Sequence, residues 1–271
     1  MNRILIIGAS GFIGNAIYKD LCSYFDVYGT YYSQKSYRQN QHFYHFDMEL
    51  EGIDLILKKL KPTIIISALR GDFENQIEVH DTLIDYIKGS NRKLIFLSSA
   101  NVFDAFSNYP SYEFDKTLSQ SIWGKLKIRI ESKLLRLPEH NYVIARLPMV
   151  FGYKSPRVKE LTEYAKVGVP FEVFPDLVMN TTYADKVAQQ IHYLINRNKK
   201  GIFHLGSSDL IHHDEFIKEI CNGLDIRNMV FKNVYTTNFD RFLAVIPKDK
   251  KLPKHLQINN ENVIENSIKL L

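Results

Sequence analysis

Short apolar runs alternate with stretches whose apolar residues recur every three or four positions through the first half of the chain. The runs Arg3–Ile7, Asp26–Thr30, Gln41–His45, Thr63–Ser67, Lys93–Ser98 and Tyr142–Arg146 predict strands. Ile64-Ile65-Ile66 is apolar at consecutive positions, the pattern of a strand covered on both faces in a parallel sheet. Between the runs, Gly11–Tyr24, Leu50–Leu60, Asn75–Lys88 and Leu118–Leu137 predict helices. Strand-then-helix repetition needs right-handed crossovers, so the expected fold is α/β with a Rossmann-type doubly wound parallel sheet. Beyond Pro148 the pattern changes. A helix is expected near Pro156–Lys166, a short strand at Phe171–Phe174, a helix at Tyr183–Arg197 and a return to the sheet at Gly201–Leu205. A helix at His213–Asn222, with Gly223 as its stop signal, and an irregular tail follow. The expected division is a dinucleotide-binding domain over 1–150, to which 183–205 returns, and a smaller interleaved C-terminal substrate lobe over 151–271.

Composition narrows the function classes. The 271 residues are 45% hydrophobic and 24% charged, enough for a well-buried core. The net charge of +5 suits an anionic small ligand, and its dispersal along the chain argues against nucleic acid. Cys22 and Cys221 stand apart with no ligand-like spacing, and both are read as buried thiols of a reducing compartment. The apolar run Ile4–Ile7 is too short for a signal peptide or a membrane span, so a soluble, cytoplasmic protein is expected. The nine histidines form no HxxxH or HExxH pattern; no metal site is expected, and His212-His213 reads as surface polarity.

The first candidate chemistry is at Gly8, Gly11 and Gly14, spaced GxxGxxG between an apolar strand and an amphipathic helix. Gly8 permits a tight turn, Gly11 allows backbone N–H groups close to phosphate, and Gly14 lets the helix pack on the strand. The N–H groups of Ser10, Gly11, Phe12, Ile13 and Gly14 are then placed to hold the pyrophosphate of a dinucleotide. An NAD site usually carries Asp or Glu at the end of the second strand. Here Gly29-Thr30-Tyr31-Tyr32-Ser33 stands there, with Lys35 and Arg38 beyond it. With no carboxylate to repel a 2′-phosphate and two cations near, NADP(H) is favoured over NAD(H); the alternative is that the cations only solvate a loop. Asp47, followed by Met48, either accepts from the adenine amino group or caps a loop.

Three further segments join the glycine turn: Ser98-Ser99-Ala100-Asn101-Val102-Phe103-Asp104, Trp123-Gly124-Lys125-Leu126-Lys127, and Arg146-Leu147-Pro148-Met149-Val150-Phe151-Gly152. Together they resemble the extended short-chain dehydrogenase/reductases, and most of all the dTDP-4-dehydrorhamnose reductase-like, sugar-nucleotide-binding branch. Asn180-Thr181-Thr182-Tyr183-Ala184-Asp185 is similar to the branch's segment before its late helix. The resemblance implies cofactor contacts from Tyr31, Ser33, Asp47 and Met48 at the adenosine end. It implies others from Ala68, Leu69, Arg70, Ser98, Lys127, Arg146 and Met149. It further implies a nucleotide-sugar substrate and a homodimer packed through two helices per subunit, one of them the Lys127 helix.

The branch's mechanism pairs hydride transfer with a proton from a Tyr acidified by a Lys four residues later, while a Ser or Thr holds the carbonyl. Ser99 matches the Ser/Thr and Lys127 the Lys, but the Tyr position holds Trp123. Indole N–H donates without ionising near neutral pH and cannot relay a proton. Trp123, Lys127, Ile130 and Leu134 share one helical face, so Trp123 reads equally as a packing residue. Ser99 reads equally as a strand-end serine, and Lys127 as one more solvated cation beside Lys125, Arg129, Lys133 and Arg136. Arg70, and Arg157 with Lys159, are candidates for phosphate contact or ordinary surface charge. Two functions follow: an NADP(H)-dependent keto-sugar reductase, or a catalytically degenerate NAD(P)-binding protein with a structural or regulatory role.

Overall fold

A seven-stranded parallel sheet organises the computed structural model, which describes residues 2–269. Its strands are β1 (Arg3–Ile7), β2 (Asp26–Tyr31), β3 (Phe43–His45), β4 (Ile64–Ser67), β5 (Lys93–Ser99), β6 (Tyr142–Leu147) and, out of chain order, β11 (Gly201–His204). The spatial order is β11-β6-β5-β4-β1-β2-β3, which reverses direction between β1 and β4 as in a doubly wound sheet. The consecutive isoleucines 64–66 are buried because the sheet is covered on both sides. On one face lie α1 (Phe12–Leu21) and α6 (Ala184–Asn196), packed against each other. On the other lie α2 (Asp54–Leu60), α3 (Phe73–Ile87) and α4 (Ile122–Leu134).

The second half adds small pairings at the C-terminal ends of the sheet strands. β7 (Met149–Phe151) pairs in parallel with β10 (Thr181–Tyr183). β8 (Phe171–Val173) pairs with β13 (Phe231–Asn233), and β9 (Leu177–Met179) lies between β12 (Ile211–His212) and β14 (Arg241–Leu243). The helices α5 (Pro156–Val167), α7 (His213–Gly223) and α8 (Asn260–Ile268) build a separate apolar cluster around Phe151, Leu161, Met179 and Phe216.

Several expectations need correction. The tail is not irregular: β13, β14 and α8 lie within it, and α8 is closed by a capping box between Asn259 and Asn262. The helix expected from Leu118 begins only at Ile122. Asp104 accepts from Ser119 Oγ, the Gln120 N–H and Ser121 Oγ, and these bonds hold the preceding segment in a turn while Ser121 caps Gly124 N–H. The helix expected from Leu50 likewise begins at Asp54. Cys22 is exposed rather than buried, because it sits just past the solvent end of α1. His213 is buried rather than surface-polar, its Nδ1 accepting from the Phe174 N–H at 3.3 Å. No helix among the described residues is long and apolar enough to cross a membrane.

Candidate functional site

The turn between β1 and α1 is shaped by what its glycines exclude. Gly8 has φ +82°, in the left-handed region, and a Cβ there would meet the Ala68 carbonyl oxygen at 2.8 Å. A Cβ on Gly14 would stand 2.2 Å from the Gly8 carbonyl oxygen, so α1 can approach the strand only without one. Gly8 N–H donates to Thr30 Oγ1 at 2.9 Å, tying the turn to the end of β2. Gly11 occupies the N-cap of α1 with no side-chain capping bond, and the first turn holds no acidic residue. The first-turn N–H groups are thus left for an external anion, which the helix dipole also favours. This cradle fits the pyrophosphate of a dinucleotide.

The helix start opens on a cleft of about 500 Å³ between the sheet edge and the smaller elements. Gly11 to Gly14 form one wall, and Ala68, Leu69 and Arg70 follow from the end of β4. Ser98 and Ser99 come from β5, Trp123 and Lys127 from α4, and Met149 from β7. The cleft therefore gathers most of the residues singled out by sequence. It also takes Asn101, which the sequence offers within the Ser98–Asp104 segment but without a role, and Glu160 and Leu243, which the sequence reading missed; Leu243 lies in the tail, where no motif marks it.

Lys127 is 4% exposed, whereas Lys125 and Arg129 on the same helix are exposed. Its ammonium donates to the Leu97 carbonyl oxygen at 3.1 Å and lies over two rings, 4.6 Å from the Phe96 centroid and 4.8 Å from that of Trp123. Burial pushes its pKa down to about 7; the nearby Glu131 charge opposes the shift, and Arg70 adds to it. Trp123 is half-buried beside Phe73, their centroids 6.0 Å apart. The close packing of α4 here depends on Gly124, where a Cβ would fall 2.2 Å from the Asn101 carbonyl oxygen. Ser99 Oγ donates to Asn101 Oδ1 at 2.8 Å and accepts from the Asn101 N–H at 3.2 Å, capping the 3₁₀ turn at Ala100–Phe103. To polarise a ligand carbonyl, its hydroxyl proton must turn away from Asn101.

Arg146 does not reach the cleft. It is 2% exposed, and its Nη2 donates to Glu131 Oε2 at 2.7 Å, its Nε to the same carboxylate, and its Nη1 to the Glu113 carbonyl oxygen at 3.0 Å. Ser98 Oγ donates to Glu131 Oε1 at 2.5 Å. The expected cofactor role of Arg146 is replaced by a buried ion pair that joins β6 to α4 under the cleft floor. At the far end, Tyr31 is buried against Tyr37 and His45, and Ser33 is exposed. Asp47 closes its own loop, Oδ1 accepting from the Glu49 N–H at 3.0 Å. Met48 packs over Gly71, just past β4. Neither Tyr31, Ser33, Asp47 nor Met48 lines the cleft.

Known proteins share this architecture. The dTDP-4-dehydrorhamnose reductase of Bacillus anthracis, solved in complex with NADP, matches with TM-score 0.73 at 19% identity, covering 98% of each chain. The dTDP-glucose 4,6-dehydratase of the same organism, in complex with NAD, matches with TM-score 0.77 at 17% identity, covering 99% of this chain and 96% of that one. Methionine adenosyltransferase 2 subunit beta of Danio rerio is 24% identical over 254 residues, 83% of this chain and 74% of its own length. Residues 73–262, well over half of the chain, match the family described as the RmlD substrate binding domain, and the protein belongs to that family.

Proposed function

We propose that the cleft holds a nicotinamide dinucleotide, NADP(H) in preference to NAD(H), and that the protein is a reductase of a nucleotide-activated keto-sugar with Trp123 at the usual tyrosine position. The observation carrying this reading is the uncapped start of α1 at Gly11, opening on the same cleft as Ser99 and Lys127. In this reading 1–150 with 183–205 form the dinucleotide-binding domain and 151–271 the substrate lobe. The preference for NADP(H) rests on the end of β2, where no carboxylate stands. Lys35 and Arg38 are exposed there, with no carboxylate oxygen within 4.0 Å among the described residues.

A bound reduced nicotinamide would supply a hydride. The chain's own part is electrostatic: the Lys127 ammonium and the Ser99 hydroxyl are the groups available to stabilise a developing alkoxide. The Trp123 indole can donate a hydrogen bond but not a proton. Losing a general acid typically costs ~10²–10⁴-fold in rate, so slow turnover is expected. Trp123 also favours a second reading, in which the dinucleotide is a structural or regulatory ligand and redox chemistry is lost. The relative that is a subunit of methionine adenosyltransferase supports that alternative by analogy.

The test follows NADPH oxidation with a panel of dTDP-, UDP- and GDP-4-keto-sugars. Turnover that falls in Lys127→Ala supports the reductase. Binding of NADPH with no turnover across the panel supports the second reading. Trp123→Tyr restores the Tyr–Lys pair; a strong gain in activity would show the rest of the site intact.

A further inference from the structure

Two arginines face the cleft from opposite halves of the chain. Arg70 follows β4, and Arg157 lies in the first turn of α5. Neither has a carboxylate oxygen within 4.0 Å or a side-chain hydrogen bond among the described residues. Desolvation lowers the proton affinity of Arg157; the Glu160 charge on the same helix opposes that shift, and Arg70 is near enough to add to it more weakly. With Lys127, three cations line the cleft against one carboxylate, Glu160. Arg157 is also placed against the dipole of its own helix: the first turn of α5 holds no acidic residue, so the cation meets the helix's positive end. Both arginines are exposed on the cleft, free to take an anion that would offset their mutual repulsion.

The phosphate turn at Gly11–Ile13 already offers backbone N–H groups to one pyrophosphate. The guanidiniums come from different elements, and each presents a planar fork that matches phosphate oxygens bidentately. We propose that Arg70 and Arg157 form a clamp for a second diphosphate, that of a nucleoside-diphosphate ligand, closed by one residue from each half of the chain. This rests on the nucleotide-sugar reading above and assigns the residues that would recognise its diphosphate. Specificity would follow from charge number: a nucleoside monophosphate engages one fork fully, a diphosphate both.

The experiment is calorimetric titration of UDP, dTDP, UMP and dTMP into the protein with and without saturating NADPH, alongside a separate NADPH fluorescence titration. The clamp predicts that diphosphates bind at least about tenfold more tightly than monophosphates. Arg157→Ala should weaken UDP binding about 10- to 100-fold and erase the diphosphate preference, while the NADPH dissociation constant stays where it was. Arg157→Lys should recover part of the loss. Arg157→Gln carries the same test should Arg157→Ala fail to fold, and Arg70→Ala, read by UDP affinity alone, should weaken UDP binding as well. Unchanged UDP affinity in the variants overturns the clamp. An equal loss of NADPH affinity also overturns it, because the arginines then serve the dinucleotide's own pyrophosphate. Failure of every diphosphate to bind protein that does bind NADPH overturns the clamp and leaves the cofactor reading standing. Arginine-dependent UDP binding without any NADPH binding keeps the clamp and overturns the cofactor reading.

Discussion

Removing the Glu131 carboxylate isolates the ion pair beneath the cleft. Glu131 and Arg146 are both 2% exposed, and the carboxylate accepts from Nε and Nη2 of Arg146 and from Ser98 Oγ. In Glu131→Ala the guanidinium keeps the Glu113 carbonyl oxygen, the 3.5 Å contact with His204 Nε2 and the Phe103 ring 4.8 Å away, but no carboxylate. An uncompensated buried charge of this kind costs about 3–5 kcal/mol. Unfolding entropy near 2.1 cal/mol/K per residue gives roughly 0.6 kcal/mol/K for a chain of this length, so Tm should fall by about 5–9 °C. Replacing both partners, as Glu131→Leu with Arg146→Met, removes the stranded charge and should cost clearly less than Glu131→Ala alone. Differential scanning calorimetry of the wild type and the two variants decides it. A Glu131→Ala protein within about 1 °C of the wild type would refute the reasoning, since Arg146 must then find other partners.

Three further outcomes follow from the geometry. Gly14→Ala places a Cβ against backbone at 2.2 Å; despite the better helix propensity of Ala, it should lose about 1–3 kcal/mol of stability by chemical denaturation and weaken NADPH binding. Burial holds His80 and His213 down to about 4 and His204 down to about 3, so the folded state keeps them neutral where the unfolded chain would protonate them. Stability should therefore drop as pH falls from about 6.5 towards 4, by up to about 1.4 kcal/mol per pH unit for each histidine, and urea melts at pH 7 and pH 5 would expose a flat profile if these rings are in fact solvated. Lys127, at about 7, is an ammonium below that pH and an amine above it, so NADPH should bind more weakly as pH rises through 7. Lys127→Met should flatten that dependence, and an unaltered profile in the variant would assign the titration elsewhere.

How far these features could be read from sequence depends on whether their cause is local. The consecutive isoleucines of β4 and the glycine spacing before α1 report conditions met within a few residues, and the strands and the phosphate turn follow directly. Lys127 was legible by position, but its burial was not. Four cations share that helix, and only the packing of Phe96 and Trp123 separates one from the rest. Arg146 was misread because its partner lies on another element, Glu131 on α4, and no motif links the two. The wall supplied by Leu243 was invisible for the same reason, since β14 forms only by pairing with β9. The late start of the helix expected from Leu118 depends on Asp104, fifteen residues or more upstream of Ser119, Gln120 and Ser121.

Trp123 is the single tryptophan of the chain, and it lines the cleft. It therefore reports directly on the central claim that a nicotinamide dinucleotide binds there. Indole emission overlaps the absorption of reduced nicotinamide, so titrating NADPH while exciting the indole should quench Trp123 and raise sensitised nicotinamide emission along one saturable curve. Trp123→Phe should abolish the transfer while leaving binding, measured by calorimetry, in place. Saturable NADPH binding with no energy transfer, or no binding at all, would contradict the account.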